Sequence, residues 1–141
     1  MYDYQSKTPM KLRDFVATAQ ANIREIEPVE ANKLRTSNPD LVIIDVREPF
    51  EYQQTGHIPG ARLIPRGILE AAADPSHPMH TPELTAARER PILVYCSSGG
   101  RSAMACAVLQ LMGFTRVMNL RGGFIRWCAE NLPLRQEARY E

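Results

Sequence analysis

Short apolar runs alternate with amphipathic stretches along this chain, and turn residues separate them. The continuous runs at 41–44 and 92–95 are typical of strands that are covered on both faces of a sheet. Between the runs, apolar residues recur at spacings of three and four, which indicates helices. Strands that alternate with helices predict a parallel sheet with helices on both sides. The predicted fold is therefore α/β, with three layers and a central, mostly parallel five-stranded sheet.

The same pattern gives approximate positions for the elements. Gly113 stands where a left-handed residue ends a helix, and Phe114 follows as the capping hydrophobe. The last predicted helix follows Gly122 and Gly123 and carries Phe124, Trp127 and Leu132. Strands are predicted at 24–27, 41–44, 62–65, 92–95 and 116–120, and earlier helices at 9–22, 28–34, 50–52, 68–72 and 102–112.

The leading helix has one apolar face, formed by Leu12, Val16, Ala19 and Ile23. We expect this face to pack on its own domain, and pairing with a second copy of the chain is the alternative. The organisation that we predict is an N-terminal helical extension over residues 1–24, one domain over 25–137 and a C-terminal tail over 138–141.

Composition narrows the class of protein. The chain has 141 residues, 44% of them hydrophobic and 23% charged, which is typical of one globular domain. A net charge of +1 gives no reason to expect nucleic acid or an anionic membrane as a partner. No apolar run approaches the roughly 20 residues that span a bilayer. Three cysteines are an odd, sparse set that indicates a reducing compartment, so we expect a cytoplasmic protein.

The candidate chemistry lies in Cys96-Ser97-Ser98-Gly99-Gly100-Arg101-Ser102, which follows the strand at 92–95. This order places a thiol at the carboxyl edge of the sheet and before a helix, where open α/β sheets bind ligands. Small residues let backbone N–H groups turn inward as an anion-binding nest. Those donors, the helix end and Arg101 favour a thiolate, so Cys96 is the candidate nucleophile. The alternative is a buried structural cysteine.

Four segments in this order resemble the rhodanese (thiosulfate sulfurtransferase) family in its single-domain form, over about 26–132. The resemblance implies a rhodanese-like α/β/α fold and a persulfide on Cys96, with no other cofactor. It also implies that sulfane sulfur passes from a donor such as thiosulfate to a thiol or cyanide acceptor. We expect a monomer or a weak homodimer. The segments are Asp45-Val46-Arg47-Glu48 with Glu51-Tyr52, Gly56-His57-Ile58-Pro59-Gly60-Ala61, Cys96 to Ser102, and Leu120-Arg121-Gly122-Gly123 with Trp127.

In this interpretation the loop after Cys96 forms the persulfide cradle. Preorganised N–H groups of Ser97, Ser98, Gly99, Gly100, Arg101 and Ser102 stabilise a negatively charged terminal sulfur. The three serine hydroxyls add contacts. For Ser102 the alternative role is to cap the following helix.

Charged residues near the loop have two interpretations each. Arg101 either binds the oxyanion of the donor or ties the loop to a carboxylate, Glu48 or Glu51. Arg47 and Arg66 are possible second binding groups for the donor. The alternative is that each is only a surface charge or part of a structural ion pair. Asp45 is expected to accept backbone N–H bonds, and His57 to brace the bend at 56–61.

Other interpretations of these residues stay open. His77 and His80 could be metal ligands, but the sequence around them does not supply a set of four ligands. We therefore expect no metal. Cys106 and Cys128 are expected in the core, and a redox pair of Cys96 with Cys106 is the alternative. A phosphatase or arsenate reductase on the related fold normally has five residues between Cys and Arg, whereas four lie between Cys96 and Arg101. A non-catalytic rhodanese-like binding module is the other rival.

Overall fold

A parallel sheet forms the centre of the protein, in a computed structural model that describes residues 4–5 and 8–136. The strand order is β1-β5-β4-β2-β3, and all four neighbouring pairs are parallel. This confirms the predicted α/β class and the five strands. The tail predicted at 138–141 lies outside the described residues. The strands are β1 Arg24–Ile26, β2 Val42–Asp45, β3 Ala61–Leu63, β4 Ile92–Tyr95 and β5 Val117–Leu120.

Helices connect the strands, and none in the described ranges has the length and apolar character needed to cross a bilayer. A short 3-10 turn at Arg66–Ile68 precedes the fourth helix. The helices are α1 Leu12–Gln20, α2 Pro28–Ser37, α3 Pro49–Thr55, α4 Leu69–Ala73, α5 Pro82–Thr85, α6 Gly100–Leu111 and α7 Gly123–Ala129.

Two apolar clusters lie on opposite faces of the sheet, because successive side chains of a strand point to opposite sides. Ile44 and Val94 belong to the first cluster, together with residues of α4, α5 and α6. Ile43 and Leu93 belong to the second, together with residues of α2 and α7. The molecule thus has three layers, as the alternation of strands and helices predicted.

The leading helix α1 packs against α6, which confirms the expectation that it packs on its own domain. Leu12 is an exception on the predicted apolar face, because it lies in the first turn of α1 and is exposed. The contact reaches the start of α6: a Cβ on Gly100 would lie 3.3 Å from Cγ2 of Val16. The extension therefore covers the outer side of the helix that follows the cysteine loop.

Helix α6 begins at Gly100, two residues earlier than the predicted start at 102. Gly99 is its N-cap and has φ of +106°, a left-handed conformation that glycine adopts without the cost of a Cβ clash. At the other end, the Phe114 N–H donates to the Leu109 carbonyl and the Gly113 N–H to the Gln110 carbonyl. These two bonds confirm the predicted helix end at Gly113.

Candidate active site

Cys96 lies at the carboxyl edge of the sheet, directly after β4. Strand β2 lies on one side of β4 and β5 on the other, so the loop opens beside the point between β2 and β4 where the strand order reverses. The residue is buried, with 1% of its surface exposed, whereas the neighbouring Ser98 is exposed. The sulfur therefore lies just beneath a surface loop.

Three donors surround the Cys96 sulfur. Sγ lies 3.1 Å from the Gly99 nitrogen, 3.4 Å from the Ser102 nitrogen and 3.3 Å from the Ser102 hydroxyl oxygen. Among the described residues, the N–H groups of Gly100 and Arg101 make no hydrogen bond, as is common in the first turn of a helix. The loop thus presents donors around a sulfur at the positive end of α6.

Ser102 does not cap α6, because it lies inside the helix and Gly99 is the N-cap. Its hydroxyl contacts the sulfur instead. The geometry therefore agrees with the predicted contact of this hydroxyl and not with the alternative role as a helix cap.

Glu51 of α3 holds the outer side of the loop. Its carboxylate accepts two bonds from the Arg101 guanidinium, at 2.7 and 3.0 Å, and one from the Ser97 hydroxyl at 2.7 Å. The Arg101 guanidinium has the largest effect on the pKa of Glu51, and burial opposes it. With the further effect of the Ser97 hydroxyl, the pKa falls from 4.5 to about 2. Of the two predicted carboxylate partners of Arg101, the structure selects Glu51. This tie leaves Arg101 partly exposed, with 36% of its side chain open to solvent.

Arg47 forms a structural ion pair, which was the alternative to donor binding. Its guanidinium is buried, donates to both oxygens of Asp45, and continues to the Thr55 hydroxyl and the Gly56 carbonyl. The Asp45 carboxylate also accepts the Arg47 backbone N–H, as expected. This buried ion pair joins the end of β2 to the end of α3, so Arg47 has no free surface for a donor.

Two further predicted residues lie at the margins. Arg66 forms an ion pair with Glu70 at 2.7 Å, and its backbone N–H donates to the Val46 carbonyl. The buried His57 ring stacks on Tyr52, with centroids 4.1 Å apart, and the ring nitrogen Nδ1 lies 3.0 Å from the Ile58 carbonyl. These contacts agree with a bracing role for His57 at the bend.

The start of α7 supports the loop from below, a contact that sequence reasoning did not predict. The Phe124 N–H donates to the Cys96 carbonyl at 2.8 Å, and the Ile125 N–H to the Ser97 carbonyl at 3.0 Å. Gly123 has φ of +64°, and a Cβ there would lie 2.4 Å from the Ser97 carbonyl oxygen. The available signal was the glycine pair between a strand and a helix, which indicates close backbone approach.

Of the other two cysteines, Cys106 is buried and Cys128 is partly buried. Burial raises the pKa of the Cys106 thiol, and burial also raises that of Cys128, against a smaller opposing effect of Arg47. Cys106 belongs to the same core cluster as Cys96. A thiol with a raised pKa is a poor attacking group, which favours the core interpretation of both. In the described ranges, no group of three or more His, Cys, Asp or Glu could hold a metal ion.

Comparison with known proteins agrees with this geometry. The family model of the rhodanese-like domain matches residues 27–130. A sulfurtransferase of Allochromatium vinosum is 34% identical over 79% of this chain and 94% of its own length. The thiosulfate sulfurtransferase GlpE of Stutzerimonas stutzeri is 34% identical over 75% of this chain and 85% of its own length. These relatives support a general sulfurtransferase role.

A solved structure is similar over nearly the whole chain. It is a protein of unknown function from Rhodopseudomonas palustris, described as a possible tyrosine phosphatase. The two share 30% identity with a TM-score of 0.85, over 94% of this chain and 100% of the other. The similarity extends beyond the residues matched by the family model.

Proposed function

The chain belongs to the rhodanese-like domain family, and from this premise we propose that it transfers sulfane sulfur through a persulfide on Cys96. The donor is an anion such as thiosulfate, and the acceptor is a thiol or cyanide. The observation that supports this proposal most is the set of donors from Gly99 and Ser102 around the Cys96 sulfur. Such preorganised donors stabilise negative charge without reorganisation during the reaction.

The chemistry needs two balanced displacements and no further cofactor. The Cys96 thiolate attacks the outer sulfur of thiosulfate, the S–S bond of the donor breaks, and sulfite leaves with the electron pair. Cys96 then carries a terminal sulfur with a negative charge. A thiolate or cyanide attacks this terminal sulfur, and the electron pair of the broken bond returns to Cys96 as a thiolate.

Arg101 can bind the donor while it ties the loop. A guanidinium has five N–H donors, and the bonds to Glu51 and Ser97 use three of them. The remaining N–H groups and the partly exposed side chain suit one oxyanion of thiosulfate. Arg66 is a weaker candidate, because its guanidinium is already paired with Glu70.

A phosphatase is the second candidate, favoured by the description of the similar structure from Rhodopseudomonas palustris. The shorter loop argues against it, because four residues between Cys96 and Arg101 make a smaller ring of amides. A sulfane sulfur needs less room than a tetrahedral phosphate. Thiosulfate and an aryl phosphate are therefore compared as substrates, and turnover of the phosphate alone would favour the phosphatase.

We expect Cys96→Ser to reduce thiocyanate formation from thiosulfate and cyanide to the uncatalysed rate, because a hydroxyl does not form the persulfide. Cys128→Ser is the control, since Cys128 lies in α7 and is partly buried; it should keep the wild-type rate. Full activity of Cys96→Ser would show that another group is the nucleophile. No activity in the wild type with any sulfur donor would favour the binding module.

The cytoplasmic location and the monomeric or weakly dimeric state stay predictions. Sedimentation at several protein concentrations measures the second of them. A stable dimer at all concentrations would contradict it.

A further inference from the structure

Strand β5 carries a polar side chain in the middle of the core. Asn119 is fully buried and stands between Met118 and Leu120, which are buried apolar residues. In the sheet register it lies beside Glu25 of β1 on one side and Val94 of β4 on the other. Asn119 therefore lies beside the end of β4, the strand that leads to Cys96.

The Asn119 side chain is oriented by two acceptors. Its amide nitrogen Nδ2 donates to Oε2 of Glu25 at 2.9 Å and to the Gly99 carbonyl at 3.1 Å. Because both neighbours only accept hydrogen bonds, the nitrogen of the amide must face them. Oδ1 at the other end is buried and has no hydrogen-bond partner among the described residues.

This arrangement is unfavourable for stability. A buried acceptor without a partner loses its bonds to water and gains none in return. Departures of this kind concentrate at functional sites, where geometry matters more than stability. The two bonds that Asn119 does make therefore indicate a role at the neighbouring cysteine loop.

Gly99 is the residue that Asn119 holds. The Gly99 N–H lies 3.1 Å from the Cys96 sulfur, and its carbonyl accepts from Asn119 and from the Ala103 N–H, also at 3.1 Å. A glycine with φ of +106° has many alternative conformations. Fixing its carbonyl restricts those alternatives and so restricts the direction of its N–H.

We propose that Asn119 is a positioning residue, which holds the Gly99 carbonyl and thereby aims the Gly99 N–H at the sulfur of Cys96. Glu25 anchors the Asn119 amide, and Arg121 in turn lies 3.7 Å from Glu25. The inference deepens the proposed function and rests on it for the catalytic meaning of a charged sulfur. The contacts themselves affect only how readily the Cys96 thiol ionises, whether or not the protein transfers sulfur.

The test is the pH dependence of Cys96 alkylation by iodoacetamide, followed by peptide mass spectrometry without any sulfur donor. We expect Asn119→Ala to move the pH midpoint upward by about one unit, because one aligned donor to a charged sulfur is worth roughly tenfold in its ionisation. Val117→Ala is the matched control. It removes a buried side chain at the start of the same strand and leaves the bond from Asn119 to the Gly99 carbonyl in place, so its midpoint should equal that of the wild type.

A second pair of variants keeps the test decisive if Asn119→Ala does not fold. Glu25→Ala and Glu25→Gln both remove the charge, but only glutamine keeps an acceptor for Nδ2 of Asn119. The midpoint should be higher for Glu25→Ala than for Glu25→Gln. Equal midpoints in this pair, or in the Asn119→Ala and Val117→Ala pair, would overturn the inference.

Sulfur transfer from thiosulfate, measured separately, distinguishes this inference from the proposed function. An upward midpoint in Asn119→Ala with no transfer by the wild type would retain the positioning role and reject the sulfurtransferase. Transfer by the wild type, with equal alkylation midpoints in Asn119→Ala and Val117→Ala, would retain the sulfurtransferase and reject the positioning role.

Discussion

Glu51 connects the cysteine loop to the rest of the molecule through charge. It receives the Arg101 guanidinium and the Ser97 hydroxyl together, so both ends of the loop depend on one carboxylate. A charge-assisted, two-pronged pair of this kind fixes geometry as well as adding energy. Arg101 therefore has two functions in this account, to hold the loop and to present its remaining donors to an anion.

We predict that Glu51→Gln destabilises the protein in a pH-dependent way. The pKa of Glu51 is about 2 in the folded protein, against an ordinary 4.5. A lowered pKa means that the ionised group stabilises the fold above about pH 4.5, and that this contribution is lost as the pH falls towards 2. The difference in unfolding free energy between wild type and Glu51→Gln should follow that window in urea titrations.

Glu70→Gln is the control, because Glu70 forms a more exposed ion pair with Arg66. Exposed pairs of this kind contribute about 0–1 kcal/mol, so its unfolding free energy should stay close to that of the wild type at every pH. A constant difference for Glu51→Gln from pH 7 to 2 would contradict the role given to its charge.

Roles of single residues were predictable where the partner is near in sequence. The bond from the Arg47 N–H to Asp45 spans two residues, and it was expected. The partner of Arg101 is 50 residues away, so the sequence left Glu48 and Glu51 as alternatives. Asn119 and Gly123 were missed because their importance depends on which backbone they approach after folding.

Helix α7 acts on the site through its first turn rather than through side chains. Its N–H groups donate to the carbonyls of Cys96 and Ser97, which fixes the orientation of the two planar peptide groups that follow Cys96. The contact requires a glycine at position 123, since a Cβ would lie 2.4 Å from the Ser97 carbonyl oxygen and 2.7 Å from that of Cys96. The packing of two backbones therefore shapes the loop.

We predict that Gly123→Ala lowers kcat/KM for sulfur transfer about 100-fold, because displacement of a reacting group by about 1 Å has an effect of that size. Gly67→Ala is the control: it has no positive φ, and its Cβ would meet no atom within 4 Å. Steady-state kinetics of both variants measure the effect. Wild-type kinetics for Gly123→Ala would show that the loop tolerates movement.

Elements were predicted better than their ends. The alternation of strands and helices predicted all five strands, because periodicity reflects burial that every fold of this class shares. The start of α6 was placed two residues late, since a left-handed Gly99 can cap a helix through its backbone without a capping side chain. Helix α2 reaches Ser37, where the Asn38 N–H still donates to the Leu34 carbonyl.

The whole molecule combines the family domain with the leading helix α1. The family match begins at residue 27, and α1 ends at Gln20. Helix α1 packs on α6 and reaches Gly100 through Val16. The contact lies on the outer side of α6, whereas Glu51 and Gly123 hold the loop from other directions. We therefore predict that α1 stabilises the fold and has little influence on the sulfur.

Val16→Ala should lower the unfolding free energy by about 1 kcal/mol, from the apolar area that is lost. The rate of Cys96 alkylation should stay close to that of the wild type. Leu12→Ala on the same helix is the control, because Leu12 is 70% exposed, and its stability should hardly change. A tenfold fall in the alkylation rate of Val16→Ala would assign α1 to the active site.

The most direct test of a persulfide on Cys96 is the intact mass of the protein after incubation with thiosulfate and removal of the excess. We predict a gain of one sulfur atom, located on the peptide of Cys96, absent from Cys96→Ser and lost again when cyanide or a thiol is added. An unchanged mass in the wild type, or a sulfur atom on Cys106 or Cys128 instead, would contradict the account.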